Sequence, residues 1–264
     1  MPLDIVGDTI VVYAHIPKVA GTSLKTHFNF EKSCHLTMQE MYEKYALRDE
    51  AAPIVSTPTD DEKAEGKSVW VPHHRRIVQQ KEKKICDIMA AMYTAGYPNK
   101  WSFAFKLGFV RNPWDRAGSI YHYHQKDFGW RNFAQFITEM KEGEGIFDKK
   151  EESVLKLTQS DYLKVENQFD LNFLGKYESL NADVMRLQEI LGVESRPLET
   201  SERRSANFRN YTALYENFES VYTVFDYYHE DLVNFGYTFD NTLSCKATKE
   251  CIRRYKVKDA AQSL

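Results

Sequence analysis

The sequence has no apolar run of about 18 residues, little net charge and only four cysteines in 264 residues. The lack of a long apolar run argues against a membrane-spanning helix. A net charge of −3, from 35 basic and 38 acidic residues, argues against the general attraction to nucleic acid that strongly basic proteins have. The first nine residues, MPLDIVGDT, lack a basic segment followed by an apolar one, so we expect no signal peptide and a cytoplasmic protein.

The cysteines are spread too widely to form a zinc or redox motif. Cys34, Cys86, Cys245 and Cys251 contain no C-x-x-C pair. Reduced thiols in a cytoplasmic protein are the simplest interpretation, and a disulfide between Cys245 and Cys251 is the alternative.

The pattern of apolar segments predicts one α/β domain over residues 1–240, with no internal repeat. Short apolar runs that predict strands alternate with helical patterns, which is typical of a parallel sheet with helices on both faces. These runs are TIVVYAHI (9–16), SVWVP (68–72), SFAFKLGFV (102–110) and DLNFLGKYESL (170–180). Residues 50–67 contain two prolines and mixed charge, which predict a surface loop or insertion. Residues 241–264 form a basic tail that we interpret as a solvated end.

The stretch AHIPKVAGTSLKTHF (14–28) predicts a strand, a tight turn and a helix start. Free N–H groups and the positive helix end meet at such a turn, and together they bind phosphate. A Walker A loop has its lysine after the second glycine, whereas Lys18 precedes Gly21 here. Lys18 would therefore reach past a bound phosphate, to the place where charge builds on a leaving oxygen. The plain alternative is a strand–turn–helix with a solvated lysine.

Within this stretch Gly21 would let the backbone approach the phosphate closely, and Thr22 or Ser23 suits the N-cap of the following helix. The Thr22 and Ser23 hydroxyls are further donors. The predicted contacts of the phosphate group are Lys18, Ala20, Gly21, Thr22, Ser23 and Leu24.

A second stretch, FVRNPWDRAGSIYHY (109–123), follows the clearest strand pattern. Asn112 suits an N-cap, Pro113 the first helical position and Asp115 the first turn. Arg111 lies where the strand ends, the edge at which open α/β sheets bind ligands. Ser119 lies two turns into the helix on the face of Asp115, so Arg111 and Ser119 suit a second phosphate. The alternative is an ordinary strand-to-helix joint with Arg111 or Arg116 in a structural ion pair.

Together the two stretches resemble those of the sulfotransferases. IPKVAGTS is similar to their 5′-phosphosulfate loop and RNPWDRAGS to their 3′-phosphate motif. The resemblance implies a P-loop-like three-layer fold with a central parallel sheet flanked by helices. It also implies an enzyme that moves a sulfuryl group from 3′-phosphoadenosine 5′-phosphosulfate (PAPS) to a hydroxyl or amine and leaves adenosine 3′,5′-bisphosphate (PAP). Lys18 would act at the oxygen between phosphate and sulfate, and no metal is expected.

Three later segments resemble blocks of the carbohydrate and bacterial branch with lower specificity: LTQSDYL (157–163), FLGKYESL (173–180) and YHEDLVNFGYTF (228–239). Two departures matter. Val19 replaces the common threonine or serine after the lysine, which removes one hydroxyl contact. Residues 31–100 follow no family block well, so the acceptor is left open.

A histidine is the expected general base, because its pKa suits proton transfer near neutral pH. His73 and His74 follow the predicted SVWVP strand, and in related sulfotransferases a catalytic histidine follows a strand at a comparable distance. We choose His74, then His73, then His35. The alternative is that His73 and His74 are surface residues beside a basic patch. His122 and His124 would line a pocket or the surface.

Further arginines and the acceptor are less defined. Arg204 is our choice for an added phosphate contact, with Arg203 and Arg209 as alternatives. We expect a small-molecule or carbohydrate acceptor, and the basic 73–84 stretch leaves an anionic one open.

The competing functions are a kinase-like P-loop NTPase and a non-catalytic nucleotide-binding module. The first is disfavoured because no lysine follows the glycine and no strand ends in an acidic Mg²⁺ ligand.

Overall fold

The centre of the fold is a four-stranded sheet. A computed structural model describes residues 3–30, 35–47, 73–148, 154–198 and 211–239, with the backbone alone for residue 3 and residues 73–82. The sheet strands lie side by side in the order β1 (Leu3–Val6), β2 (Thr9–Ala14), β3 (Phe105–Val110) and β6 (Phe173–Lys176). A separate antiparallel hairpin is formed by β4 (Lys164–Val165) and β5 (Gln168–Phe169).

Three of the sheet strands run parallel, so their carboxyl ends share one edge. Ala14 pairs with Gly108, and Val110 pairs with Lys176. The segments that follow β2 and β3 therefore start from the same edge, which is what brings the two sequence motifs together. The predicted parallel sheet is confirmed. The first strand, β1, runs antiparallel to β2 and was not predicted, because four residues that include Asp4 give a weak strand pattern.

Helices surround the sheet and follow its strands. Their bounds are α1 (Gly21–Phe28), α2 (Met38–Tyr42), α3 (His73–Thr94), α4 (Lys100–Phe103), α5 (Pro113–Phe128), α6 (Phe133–Glu142), α7 (Gln159–Leu163), α8 (Leu180–Ile190), α9 (Phe218–Tyr227) and α10 (His229–Phe235). A π-helical turn (Glu43–Leu47) extends α2, and 3-10 turns occupy Gly145–Phe147, Tyr177–Ser179 and Tyr211–Leu214. Within the described ranges, no helix combines the length and the apolar character needed to cross a membrane.

Two apolar clusters hold these layers together. One packs β2 and β3 against α1, α2 and α8, with Val12, Leu24 and Leu107 fully buried. The other is mainly aromatic and packs α5 against α6, α9 and α10, and Tyr237 contacts both clusters. The aromatic residues of α9 and α10 thus pack in or against these clusters.

Some predicted bounds change in the structure. Residues 100–103 form α4 because Asn99 caps them by accepting from the Ser102 N–H, so β3 starts only at Phe105. The predicted SVWVP strand, the 50–67 loop and the 241–264 tail lie outside the described residues. Of the cysteines, Cys86 is an exposed free thiol, and the other three lie outside the described part of the chain.

Candidate active site

The loop after β2 turns sharply at two residues with left-handed backbone. Lys18 has φ +66° and Ala20 has φ +53°, a conformation that costs a residue with a side chain about 1–2 kcal/mol. Strain of this kind persists where the surrounding structure enforces it, and functional sites are where it collects. The turn points the chain directly into α1.

Helix α1 begins two to three residues earlier than the predicted N-cap positions imply. Its N-cap is Ala20, which makes no side-chain capping bond, so the prediction of Thr22 or Ser23 as N-cap was wrong. The reason is the left-handed Ala20, which redirects the chain before Thr22 is reached. Leu24 N–H is the first to bond back, to the Ala20 carbonyl at 3.0 Å. The N–H groups of Gly21, Thr22 and Ser23 precede it, so this helix end can accept an anion.

Gly21 is packed against a histidine that sequence reasoning missed. A Cβ at Gly21 would lie 1.7 Å from Nε2 of His15, so the ring fills the place of a side chain. The His15 ring lies between those of Tyr13 and His35, with centroid distances of 5.8 and 4.3 Å. Its position at the end of β2, six residues before the glycine, was the one available signal.

Arg111 joins the second motif to the first. Its guanidinium makes two 2.8 Å bonds to the Asp115 carboxylate, from Nε and Nη2, and Nη1 donates to the Lys18 carbonyl at 3.0 Å. The guanidinium also lies 4.1 Å from the ring centroid of Tyr177. The structural ion pair that the sequence left open therefore exists, and it orients Arg111 towards the phosphate-type loop.

The backbone of Arg111 is fixed by Gln159. The Gln159 amide oxygen accepts from the Arg111 N–H and its amide nitrogen donates to the Arg111 carbonyl, both at 2.8 Å. Asp231 in turn accepts from the Gln159 and Ser160 N–H groups. Burial raises the pKa of Asp231, and the hydrogen bond from the Gln159 N–H and then the nearby Arg116 charge oppose that rise.

Arg116 supports the loop from behind. It is fully buried and donates to the carbonyls of Pro17 and Leu157 at 3.2 and 3.1 Å. The loop is therefore held by two arginines of one motif, Arg116 at Pro17 and Arg111 at Lys18. As predicted, Asn112 is the N-cap of α5, Pro113 is its first residue and Asp115 lies in its first turn.

Lys18 projects its ammonium over an aromatic ring of α5. Its Nζ lies 3.6 Å from the ring centroid of Tyr123. Burial, and then the nearby Arg111 charge, lower the pKa of Lys18 to about 8. Tyr123 is four residues beyond the predicted Ser119 and eight beyond Asp115, so the three share one face of α5. This helical spacing could have pointed to Tyr123.

Val19 faces the core. Its side chain is fully buried in the cluster around the sheet, together with Leu24. A hydroxyl at this position would therefore lie in the core, because the side chain points away from the loop mouth. At Leu24, another predicted contact, the side chain is also fully buried and the N–H already bonds to the Ala20 carbonyl.

The structure places one of the predicted histidines beside the loop. His35 Nδ1 lies 2.9 Å from the His15 carbonyl. Because a carbonyl only accepts, Nδ1 carries the proton in this bond and Nε2 of the neutral ring keeps its lone pair. His73 and His74 lie in the first turn of α3, and their side chains are outside the described part. His124 pairs with Asp127 at 3.1 Å, and His122 is exposed.

The remaining predicted contact, Arg204, lies outside the described residues with Arg203 and Arg209. In the described ranges, no group of three or more histidine, cysteine or acidic side chains is placed to hold a metal ion. The positive charge of this edge comes from Lys18, Arg111 and the N-terminal end of α1.

Comparison with known proteins gives one match. A model of the sulfotransferase family matches residues 2–238, a span that contains both motifs and every sheet strand. Searches of curated proteins and of solved structures gave no match. The resemblance found in the two motifs is thereby confirmed over most of the chain, which belongs to the sulfotransferase family.

Proposed function

We propose that the protein transfers the sulfuryl group of PAPS to a hydroxyl or amine of a small-molecule or carbohydrate acceptor and releases PAP. The observation that carries this proposal is the bond from Arg111 to the Lys18 carbonyl. It joins the motif suited to a 3′-phosphate to the loop suited to a 5′-phosphosulfate. A nucleotide donor with phosphate groups at its 3′ and 5′ positions would occupy both the motif and the loop.

The loop would bind the 5′-phosphate with the N–H groups at the start of α1. The Thr22 and Ser23 side chains lie in that first turn, exposed and half-buried respectively, and would add hydroxyl donors. Ala20 shapes the turn through its left-handed backbone. Lys18, also left-handed, would place its ammonium at the oxygen that leaves the sulfur.

Arg111 keeps donors for a second phosphate. A guanidinium has five N–H groups, and three of them bond to Asp115 and Lys18. Two remain, one on each terminal nitrogen, and they would meet the 3′-phosphate together with the half-buried Ser119 hydroxyl. Arg204 is proposed to add a further contact.

We expect transfer without a metal ion, because the chain itself brings cations to the reacting groups. Lys18 would neutralise charge that develops on the leaving oxygen, a contribution made mainly in the transition state. We therefore expect the activity to persist in excess chelator.

A histidine would accept the proton of the acceptor. His74 and then His73 are the choices that the sequence favours, at the start of α3. His35 has support from its contacts, since its Nε2 lone pair suits a base and its ring lies against His15 at the loop. Single alanine variants separate the three: loss of the base should lower turnover about 10²–10⁴-fold and leave PAP binding intact.

The test is an acceptor library incubated with PAPS, with PAP release as the readout and Lys18→Ala as the control. Acceptor-dependent release that is lost in Lys18→Ala supports the proposal. A parallel reaction with ATP and Mg²⁺ covers the kinase alternative, and phosphoryl transfer there would contradict sulfuryl transfer as the activity.

A further inference from the structure

Tyr123 is a large aromatic side chain that lies mostly in solvent. Its relative exposure is 67%, whereas Tyr121, two residues earlier on α5, is buried. A single exposed aromatic is common on protein surfaces. This one differs because the Lys18 ammonium lies 3.6 Å from its ring centroid.

The contact fixes both ends of Lys18 to the same motif. Arg111 binds its backbone carbonyl, and Tyr123 faces its ammonium. Asp115, Ser119 and Tyr123 follow one another at four-residue intervals, so they form a single stripe along α5. The lysine is thus directed along the stripe that contains Ser119.

Two influences act on the ammonium in opposite directions. Partial burial and the Arg111 charge disfavour its charged form, while the negative face of an aromatic ring favours it. Other charged or titratable groups lie on the neighbouring elements. Asp115 pairs with Arg111 and His124 with Asp127, and the rest include Arg116, His122 and Lys126 on α5 and Lys25 on α1. Tyr123 is the group in contact with the nitrogen.

We propose that Tyr123 is a positioning residue for Lys18, which holds the ammonium over its ring until an anionic donor draws it into the loop. An anionic oxygen attracts an ammonium more strongly than a ring face does, so the donor displaces the contact. The identity of the donor rests on the proposed function, whereas the positioning of Lys18 by Tyr123 rests on the observed contact.

The test measures the titration of Lys18 directly and needs no acceptor. Trace acetylation with acetic anhydride at a series of pH values, read by mass spectrometry of the Lys18 peptide, gives the midpoint at which the amine becomes reactive. Tyr123→Leu removes the ring and should lower that midpoint by about 0.4–1.5 pH units, the range that a cation–π contact provides. Tyr123→Phe keeps the ring and should match the wild type.

Tyr97→Leu is the matched control, because Tyr97 is another exposed tyrosine and its ring packs on Phe103. It should leave the Lys18 midpoint unchanged. A midpoint in Tyr123→Leu that equals or exceeds the wild-type value would overturn the proposal, as would a shift of equal size in Tyr97→Leu.

A separate arm adds PAP. Bound PAP should raise the Lys18 midpoint and slow its acetylation in the wild type and in Tyr123→Phe. Failure of PAP to bind at all would count against the proposed function, whereas the comparison of variants without nucleotide decides the role of Tyr123 independently.

Discussion

Replacement of Gly21 by alanine tests how the phosphate-type loop is built. The added Cβ would lie 1.7 Å from Nε2 and 2.2 Å from Cδ2 of His15, whereas ordinary contacts begin near 3.4 Å. The backbone is no obstacle, because Gly21 is helical and lacks a positive φ. The His15 ring must therefore retreat by about 1.7 Å, which disturbs its stacking on Tyr13 and His35.

The expected cost follows from these contacts. Overpacking a well-filled site costs about 1–3 kcal/mol, and the better helix propensity of alanine offsets up to about 1 kcal/mol. We expect Gly21→Ala to lower the free energy of unfolding by about 1–2 kcal/mol. His15→Ala removes the obstacle, so Gly21→Ala should be neutral or stabilising in that background.

Urea unfolding of the four proteins in this double-mutant cycle, followed by tryptophan fluorescence, measures the coupling. An interaction of about 1–2 kcal/mol between the two sites is expected. An equal loss from Gly21→Ala in both backgrounds would show that His15 is not what excludes the side chain. PAP affinity should recover only in part in the double variant, because the added methyl group stays in the loop.

Three further predictions concern residues of the same loop. Lys18→Ala should lower turnover about 10²–10³-fold, with a much smaller effect on PAP affinity, because its contribution is made in the transition state; near-normal turnover with poor donor binding would make it only a phosphate clamp. Lys18→Met should raise the free energy of unfolding at pH 7 by about 1 kcal/mol. The pKa of Lys18 is about 8 in the folded protein and 10.5 in the unfolded chain, so the charged lysine lowers the free energy of unfolding below pH 8. The gain from Lys18→Met should therefore shrink above pH 8 and vanish as the pH reaches 10.5. The figure of about 1 kcal/mol is smaller than the full pKa shift implies, because solvent screens the partly exposed charge. A pH-independent gain in urea unfolding would refute this. Val19→Thr should cost about 1–2 kcal/mol, because its hydroxyl would be buried in the core; tighter PAP binding in calorimetry would show that the side chain reaches the loop mouth.

Local features of the sequence predicted the parts of the site that neighbouring residues determine. Asn112, Pro113 and Asp115 form their cap within one turn of helix, so the α5 start could be derived from the order of residues alone. The loop motif placed Lys18 and Gly21 at a strand end in the same way. The alternation of strands with helices predicted the parallel part of the sheet, but neither β1 nor the order of the strands.

Contacts between distant segments could not be derived. Gln159 and Tyr177 approach Arg111 from segments 48 and 66 residues away. Both stand in segments that resemble family blocks, but nothing in those segments indicates a contact with Arg111. The N-cap of α1 was misplaced because two residues with side chains adopt a left-handed backbone, which local propensity disfavours. That strain is enforced by Arg111 and Arg116 from another part of the chain.

Calorimetric titration with PAP and with AMP tests most directly whether this edge binds a donor that is phosphorylated at both ends. The predicted result is that PAP binds roughly 10–150-fold more tightly than AMP, which is the value of a charge-assisted bond to the 3′-phosphate. ADP, which lacks that phosphate, should bind about as weakly as AMP. Arg111→Gln and Ser119→Ala should each reduce that preference. Equal affinity of the wild-type protein for PAP and AMP would contradict the assignment.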